Sequence, residues 1–161
     1  MAPVTFTRLA TLIDASDVID RTSPHGDVAH PASVKLRMFD ATGTIEAGDV
    51  DDAIVLKAPL PQGPGIFELM FQARGIQSRL KQLSEQKIGV AALDAAFLVR
   101  CDDEGFSLLQ RVSTALQGML PCPPHGRIHV DNGHLTVVWS ADRLNDVVHL
   151  WERLHAVRIG A

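Results

Sequence analysis

The chain has 161 residues, of which 46% are hydrophobic and 21% charged, and its formal net charge is −4 at pH 7. This composition is typical of a globular domain and excludes a disordered chain, and the acidic balance argues against nucleic acid as a partner. A chain of this length can build one domain with its own core. Its two cysteines, Cys101 and Cys122, are too few for a disulfide framework, so we expect both to be reduced.

The sequence shows neither a leader nor a membrane anchor. The first residues, MAPVTFTRLATLID, have no cationic segment followed by an apolar run, which a signal peptide requires. The apolar stretch GVAALDAAFLV is short and is interrupted by Asp94, and no segment approaches the roughly 18 to 20 apolar residues of a transmembrane helix. We therefore expect a cytoplasmic protein that contacts a membrane only through a partner.

The N-terminal part of the chain predicts one helix followed by strands. A helix is predicted over residues 5–20, because Phe6, Leu9 and Ile13 recur at helical spacing. Three strands are predicted within residues 33–72, in the segments SVKLRMFD, AIVLKA and IFELMFQA. The segment ATGTIEAGDVDD, rich in acids and turn residues, is expected to be a connection, and the prolines and glycines of PLPQGPG separate the second strand from the third.

Residues 74–87 form a basic stretch with apolar residues at helical spacing. In an acidic protein, such a cationic amphipathic stretch can dock an acidic partner or an anionic membrane surface, and the alternative is a solvated face. The candidate partner-binding cations are Arg74, Arg79, Lys81 and Lys87.

Residues 96–157 predict a strand, a helix, a hairpin and a final helix. AAFLVRC is the strand, and Asp102 or Asp103 is the predicted N-cap of the next helix, which Pro121 ends. Ser140 or Asp142 is predicted to cap the last helix. The apolar stripes of the two helices are Phe106, Leu109, Val112, Leu116 and Met119, and then Leu144, Val147, Val148, Trp151 and Leu154. Together these elements predict a single α+β domain with a mainly antiparallel sheet and amphipathic helices packed on one face.

The hairpin is predicted from Asn132-Gly133, which stands between two alternating apolar runs and can occupy a two-residue turn with positive φ. With this turn, Asp131 faces His134 and Val130 faces Leu135. The predicted core face consists of Ile128, Val130, Leu135, Val137 and Trp139. The opposite face, expected to meet solvent, consists of Arg127, His129, Asp131, His134 and Thr136.

A metal site on this hairpin is the alternative hypothesis. His129 and His134 are diagonal neighbours across the turn with Asp131 beside them, and His125 and Cys122 precede the strand. Zinc motifs normally supply two closely spaced pairs of ligands, whereas this segment has one C-x2-H pair and histidines split by a turn. The exposed hairpin is the favoured interpretation, so no metal or other cofactor is predicted.

No catalytic motif is evident elsewhere. The chain lacks G-x-S-x-G, the phosphate-binding loop pattern and G-x-G-x-x-G. Cys101 precedes a helix that could lower its thiol pKa, but a buried structural thiol explains it more simply. The acids at Asp102 and Asp103 are explained by helix capping.

The stretch LDAAFLVRCDD, followed by a Leu-rich helix and VDNGHLTVVW, resembles a class of uncharacterised bacterial domains with the pattern F-D-x-x-F-x-V-x-x-D-D. The resemblance spans residues 88–155. Its matching positions are Asp94, Phe97, Val99, Asp102 and Asp103, with Leu93 where the class has Phe. Such domains are often tethered to transmembrane helices, and the resemblance implies a fold and no catalytic residue.

From these observations we expect a non-catalytic interaction or adaptor domain. Its partner would be another protein or a second copy of the chain, so that a homodimer is one possible assembly. The surfaces expected to serve are an open sheet edge or the amphipathic helices, because antiparallel edges are natural pairing sites.

Overall fold

The structure of the protein, a computed structural model, describes residues 20–21, 33–38, 41–47, 52–71, 86–131 and 133–158. Within this part of the chain, eight strands form one sheet in the order β1-β2-β3-β4-β8-β7-β5-β6, and every pairing is antiparallel. The strands are β1 Asp20–Arg21, β2 Ser33–Met38, β3 Ala41–Ala47, β4 Ala53–Pro59, β5 Ile66–Phe71, β6 Phe97–Cys101, β7 Arg127–Asp131 and β8 His134–Ser140.

The helices join this sheet to make a single α+β domain, which confirms the predicted fold class. In the described residues they are α1 Ala91–Ala96, α2 Asp103–Arg111, α3 Ser113–Gly118 and α4 Leu144–Arg158, and a 3-10 turn at Ala141–Arg143 precedes α4. Their apolar side chains and one face of the strands share one core, in which Trp139 and Trp151 are the largest fully buried side chains. The helices therefore pack on one face of the sheet, as predicted.

The alternation of side chains along each strand explains this core. In β4, Leu56 has no exposed surface and Ala58 is only 3% exposed, whereas Lys57, which lies between them, is exposed. Because successive side chains of a strand point to opposite faces, the same alternation repeats in the neighbouring strands. The indole N–H of Trp151 donates to the carbonyl of Pro59 at 3.1 Å and ties α4 to the end of β4.

The prediction of three strands within residues 33–72 was wrong, because four strands lie there. Residues 41–47, expected to belong to a connection, form β3 and pair with β2 and β4. A Cβ at Gly43 would lie 3.0 Å from the ring of Trp151. This glycine therefore permits close packing within a strand, where the sequence suggested a turn.

The predicted strand AAFLVRC begins later than expected. Ala95 and Ala96 belong to α1, a helix that was not predicted, and β6 starts at Phe97. The Asp94 carboxylate accepts hydrogen bonds from the backbone N–H groups of Ile88 at 2.7 Å and Gly89 at 3.1 Å. These bonds hold the preceding loop against the short helix, an effect that apolar periodicity does not reveal.

The helix predicted to end at Pro121 consists of two helices, α2 and α3, which meet at Val112. Val112 has φ −107° and ψ 13°, outside the helical region, although its side chain is buried as predicted. The last helix begins with a 3-10 turn, and the predicted cap Ser140 makes no capping side-chain bond. Arg143, in that turn, instead donates to the carbonyls of Gly118 at 2.5 Å and Leu120 at 3.3 Å, and so ties the start of α4 to the end of α3.

The predicted N-terminal helix over residues 5–20 lies outside the described residues except for Asp20. At Asp20 the prediction was wrong, because this residue pairs with Arg37 of β2 as part of β1.

Candidate functional site

The hairpin has the register that the sequence predicted. Asp131 pairs with His134, Val130 with Leu135 and His129 with Thr136. The five core-face residues are at most 1% exposed, and they are Ile128, Val130, Leu135, Val137 and Trp139. On the opposite face, Asp131 and His134 are exposed and His129 is partly buried.

The structure separates the five candidate metal ligands. A Cβ at Gly126 would lie 2.6 Å from Cys122 Sγ and 3.0 Å from the Trp139 ring, so the Cys122 thiol packs on the core side of the sheet. His129 and His134 are on the other side, and His125 is in the loop before β7. Among the described residues, no three His, Cys, Asp or Glu side chains converge on a point that could hold a metal ion.

Both thiols are held in their protonated form. Burial raises the pKa of Cys101 to about 11, with smaller contributions from the neighbouring carboxylates of Asp102 and Asp103. Burial raises the pKa of Cys122 to about 12, and its Sγ lies 3.4 Å from the carbonyl oxygen of Pro123. Because the thiolate is the nucleophile, neither cysteine is activated at neutral pH.

Asp102 caps α2, as the sequence predicted, and also joins two strands. Its Oδ1 accepts hydrogen bonds from the backbone N–H of Gly105 at 2.7 Å and from that of Ile66 at 3.0 Å. Its own N–H donates to the carbonyl of Ile66 at 3.2 Å. The carboxylate thus fastens the helix start to the beginning of β5, which is a structural task.

A row of polar side chains crosses the face of the sheet opposite the helices. Direct pairing joins Thr44 to Lys57, Lys57 to Thr136, Thr136 to His129, His129 to Glu68 and Glu68 to Arg100. We call these six residues the polar row. Each strand alone shows only alternation, so the row becomes visible only when the register of five pairings is known.

Glu68, near one end of the polar row, is only 1% exposed. The Nε atom of Arg127, in the adjacent strand, lies 3.9 Å from its Oε2 atom. Burial of a carboxylate costs free energy unless polar or charged groups surround it. This end of the row is therefore a packed ionic cluster, whereas the other end is open to solvent.

At the open end lies a cleft of about 440 Å³, which we call the polar cleft. It crosses β3, β4 and β8, and it is lined by Thr42, Thr44, Lys57, Ala58, Pro59, His134, Leu135 and Thr136. The Nζ atom of Lys57 lies 3.1 Å from Oε1 of Glu46, and the two side chains are 61% and 39% exposed. Glu46 itself does not line the cleft.

A second concavity of about 560 Å³ lies beside α1, and we call it the apolar groove. Its walls come from the end of β5, from α1 and from the segment after α3. The lining residues are Phe71, Ala92, Ala95, Ala96, Leu120, Pro121 and Cys122, none of which carries a charge at neutral pH. Ala92 and Ala95 are exposed, so the groove is reached from solvent.

The predicted basic surface is largely beyond the described part of the chain. Arg74, Arg79 and Lys81 lie outside it, and Lys87 is exposed in the segment that leads into α1. Docking of an acidic partner through these cations stays a prediction. Among the described residues, none of the helices has both the length and the apolar character needed to cross a bilayer.

Comparison with known proteins finds a similar fold in a solved structure but no matching protein family. No protein-family model matches the chain, and no curated protein sequence matches it. The resemblance to uncharacterised bacterial domains therefore stays a prediction. The fold is similar to the crystal structure of the mycobacterial trehalose monomycolate transport factor A, TtfA, with a TM-score of 0.51 and 10% sequence identity. The match covers 94% of this chain and 93% of that one, so the likeness extends over the whole domain.

Proposed function

We propose that this chain is a non-catalytic accessory domain that binds a partner protein, as a component of a transport system. The observation that carries the proposal is the apolar groove, an uncharged concavity that is open to solvent next to α1. A concave surface with apolar walls is a common form of protein-binding site.

The roles of the polar residues support an accessory task. Asp94 and Asp102 accept hydrogen bonds from backbone N–H groups, and Arg143 donates to backbone carbonyls. Burial keeps the thiols of Cys101 and Cys122 protonated. Of the residues that sequence reasoning considered for chemistry, Asp102 thus holds the start of α2, and both cysteines are kept in their less reactive form.

The likeness to TtfA supports the transport component of the proposal. That protein is named a transport factor, and its fold corresponds to this one along nearly the full length of both chains. A domain that keeps such a fold can keep a related accessory role, although fold alone does not determine function. The apolar groove therefore supports the partner-binding part of the proposal, and the similarity of fold supports the transport part.

The walls of the apolar groove define the chemistry of the partner. A charged group that entered would lose water without meeting an opposite charge from the lining residues, which is unfavourable. The small side chains of Ala92, Ala95 and Ala96 allow a close approach along α1. We therefore expect an apolar, uncharged segment of the partner to occupy the groove.

The test is a photo-crosslinking residue placed at Ala95 in the cell that makes the protein, with Gln110 on α2 as the matched exposed control. We expect one protein to be crosslinked from Ala95 and not from Gln110. That protein is then purified, and its binding is measured with wild type, Ala95→Arg and Gln110→Arg. Loss of binding of about tenfold or more in Ala95→Arg alone supports the proposal.

Equal binding by all three forms, or no crosslink specific to Ala95, would contradict it. A crosslink to a second copy of the chain would mean that the groove serves self-association and does not bind a different protein. Light scattering then decides, because a chain that stays monomeric over a wide concentration range cannot use the groove in this way.

A further inference from the structure

We propose that the polar cleft is a binding site for a phosphate group. This inference is independent of the proposed partner-binding role, because the described residues that line the cleft differ from those that line the apolar groove. It rests on the register of three strands and on the chemistry of the side chains that the register brings together.

The register places the Lys57 side chain between two threonine side chains. Thr44 of β3 pairs directly with Lys57 of β4, and Lys57 pairs directly with Thr136 of β8. Side chains of directly paired residues stand roughly 5 Å apart at Cβ on the same face of a sheet. His134, two residues from Thr136 along β8, brings an imidazole to the margin of the same cleft.

The lining combines one cation with hydroxyl groups that can donate hydrogen bonds. Lysine supplies three N–H donors, and each threonine hydroxyl can donate one hydrogen bond. Among the described residues that line the cleft there is no carboxylate, and the only ring is the His134 imidazole. A phosphate group has several oxygen acceptors and a charge opposite to that of Lys57, so it matches both the ammonium and the hydroxyl donors.

A neutral sugar lacks a charge that would pair with Lys57. The hydroxyls of Thr42, Thr44 and Thr136 can donate to and accept from many polar ligands, so the ammonium of Lys57 is the group that favours an anionic ligand.

The Lys57 ammonium is paired with Glu46, which does not line the cleft. The Lys57 side chain is 61% exposed and that of Glu46 is 39% exposed, so water screens the attraction between them. A phosphate group in the cleft would compete with Glu46 for Lys57. Removal of the Glu46 carboxylate should therefore strengthen binding, which is a prediction specific to this arrangement.

The test uses the full chain, labelled with 15N and titrated with inorganic phosphate at constant ionic strength. We expect saturable shifts of the amide signals at 42–44, 57–58 and 134–136, with a dissociation constant in the millimolar range. Lys57→Gln should weaken binding by about tenfold or more, and Glu46→Gln should tighten it. Arg153→Gln, at an exposed cation on α4 that does not line the cleft, is the control and should bind as wild type does. Thr136→Val, which keeps the side-chain shape, should also weaken binding.

A second arm identifies the source of the phosphate group. Co-sedimentation is measured with vesicles of phosphatidylcholine, with and without phosphatidic acid. Free phosphate that binds through Lys57 supports a soluble ligand, and Lys57-dependent binding to phosphatidic acid alone supports a lipid headgroup. The proposal is overturned if neither probe binds, or if Lys57→Gln binds as well as wild type while thermal melts show that both are folded.

Discussion

At the scale of single residues, the fold depends on a close contact between the backbones of α2 and β5. A side chain at Gly105 would prevent this contact, and the Asp102 side chain stabilises it. Gly105, in the first turn of α2, lies so close to β5 that an added Cβ would overlap the carbonyl oxygen of Ile66. The Asp102 carboxylate bonds to the N–H groups of both Gly105 and Ile66. The close approach is what allows one carboxylate to satisfy both donors.

Gly105→Ala should therefore destabilise the protein by at least about 3 kcal/mol, because the overlapping atom is backbone and cannot rotate away. The measurement is the free energy of unfolding in urea. Gly118→Ala is the control, since no atom lies within 4 Å of a Cβ there, and it should change stability by less than about 1 kcal/mol. Equal effects of the two substitutions would show that the contact at Gly105 is unimportant.

The sequence predicted some of these residue roles and missed others. Asp102 was one of two predicted N-caps, with Asp103 as the alternative, because an acid before an apolar stripe is a local signal. Its bond to Ile66, 36 residues away, depends on the packing of α2 against β5 and leaves no local pattern. The roles of Gly43 and Gly105 were missed for the same reason.

At the scale of elements, Arg158 at the end of α4 holds the loop between β4 and β5. Its guanidinium donates to the carbonyls of Pro61 at 3.1 Å, Gly63 at 2.8 Å and Gly65 at 3.2 Å. A guanidinium has five N–H donors in a fixed plane, so one side chain can satisfy several carbonyls of a turn. The loop conformation thus depends on the last residue of a helix far away in sequence.

Arg158→Met should lower the free energy of unfolding by about 1–3 kcal/mol, because it leaves these carbonyls without their donor. Hydrogen exchange should become faster at the amides of Gln62, Gly63 and Gly65. Arg153→Met, at an exposed position of the same helix, should leave both quantities unchanged. Unchanged exchange in Arg158→Met would mean that the loop is held by other contacts.

The elements themselves were predicted unevenly. The hairpin register was correct because a two-residue turn and strict alternation are both local signals. α1 was missed because six residues are too few to show helical periodicity. The polar cleft was missed because Thr44, Lys57 and Thr136 come together only through strand pairings that join distant parts of the chain.

At the scale of the whole molecule, the buried thiols connect stability to pH. The pKa of Cys101 is raised from 9.0 to about 11 in the folded protein. Folding therefore favours the protonated thiol. The stability of the folded protein is unaffected by this group below pH 9, where the thiol is protonated in both the folded and the unfolded chain. Stability is lost as the pH rises from 9 through 11, because the thiol of the unfolded chain releases its proton first.

The wild type should consequently lose more stability between pH 9 and pH 11 than Cys101→Ala does, by on the order of 1–2 kcal/mol. Urea unfolding at several pH values measures the difference. Iodoacetamide provides a second readout, since both thiols should react slowly at pH 8 until urea unfolds the chain. Rapid labelling of the folded protein would contradict the raised pKa values.

The position of β8 has a consequence for synthesis on the ribosome. Among the described strands this one comes last in sequence, yet it lies between β4 and β7 and holds two parts of the sheet together. Until residue 140 has left the exit tunnel, β4 and β7 each have an edge with no neighbour, and such edges can pair with other chains. Nascent or truncated chains without β8 therefore carry two unpaired strand edges. We expect a stop codon before β8 to produce a chain that aggregates, in addition to losing its function.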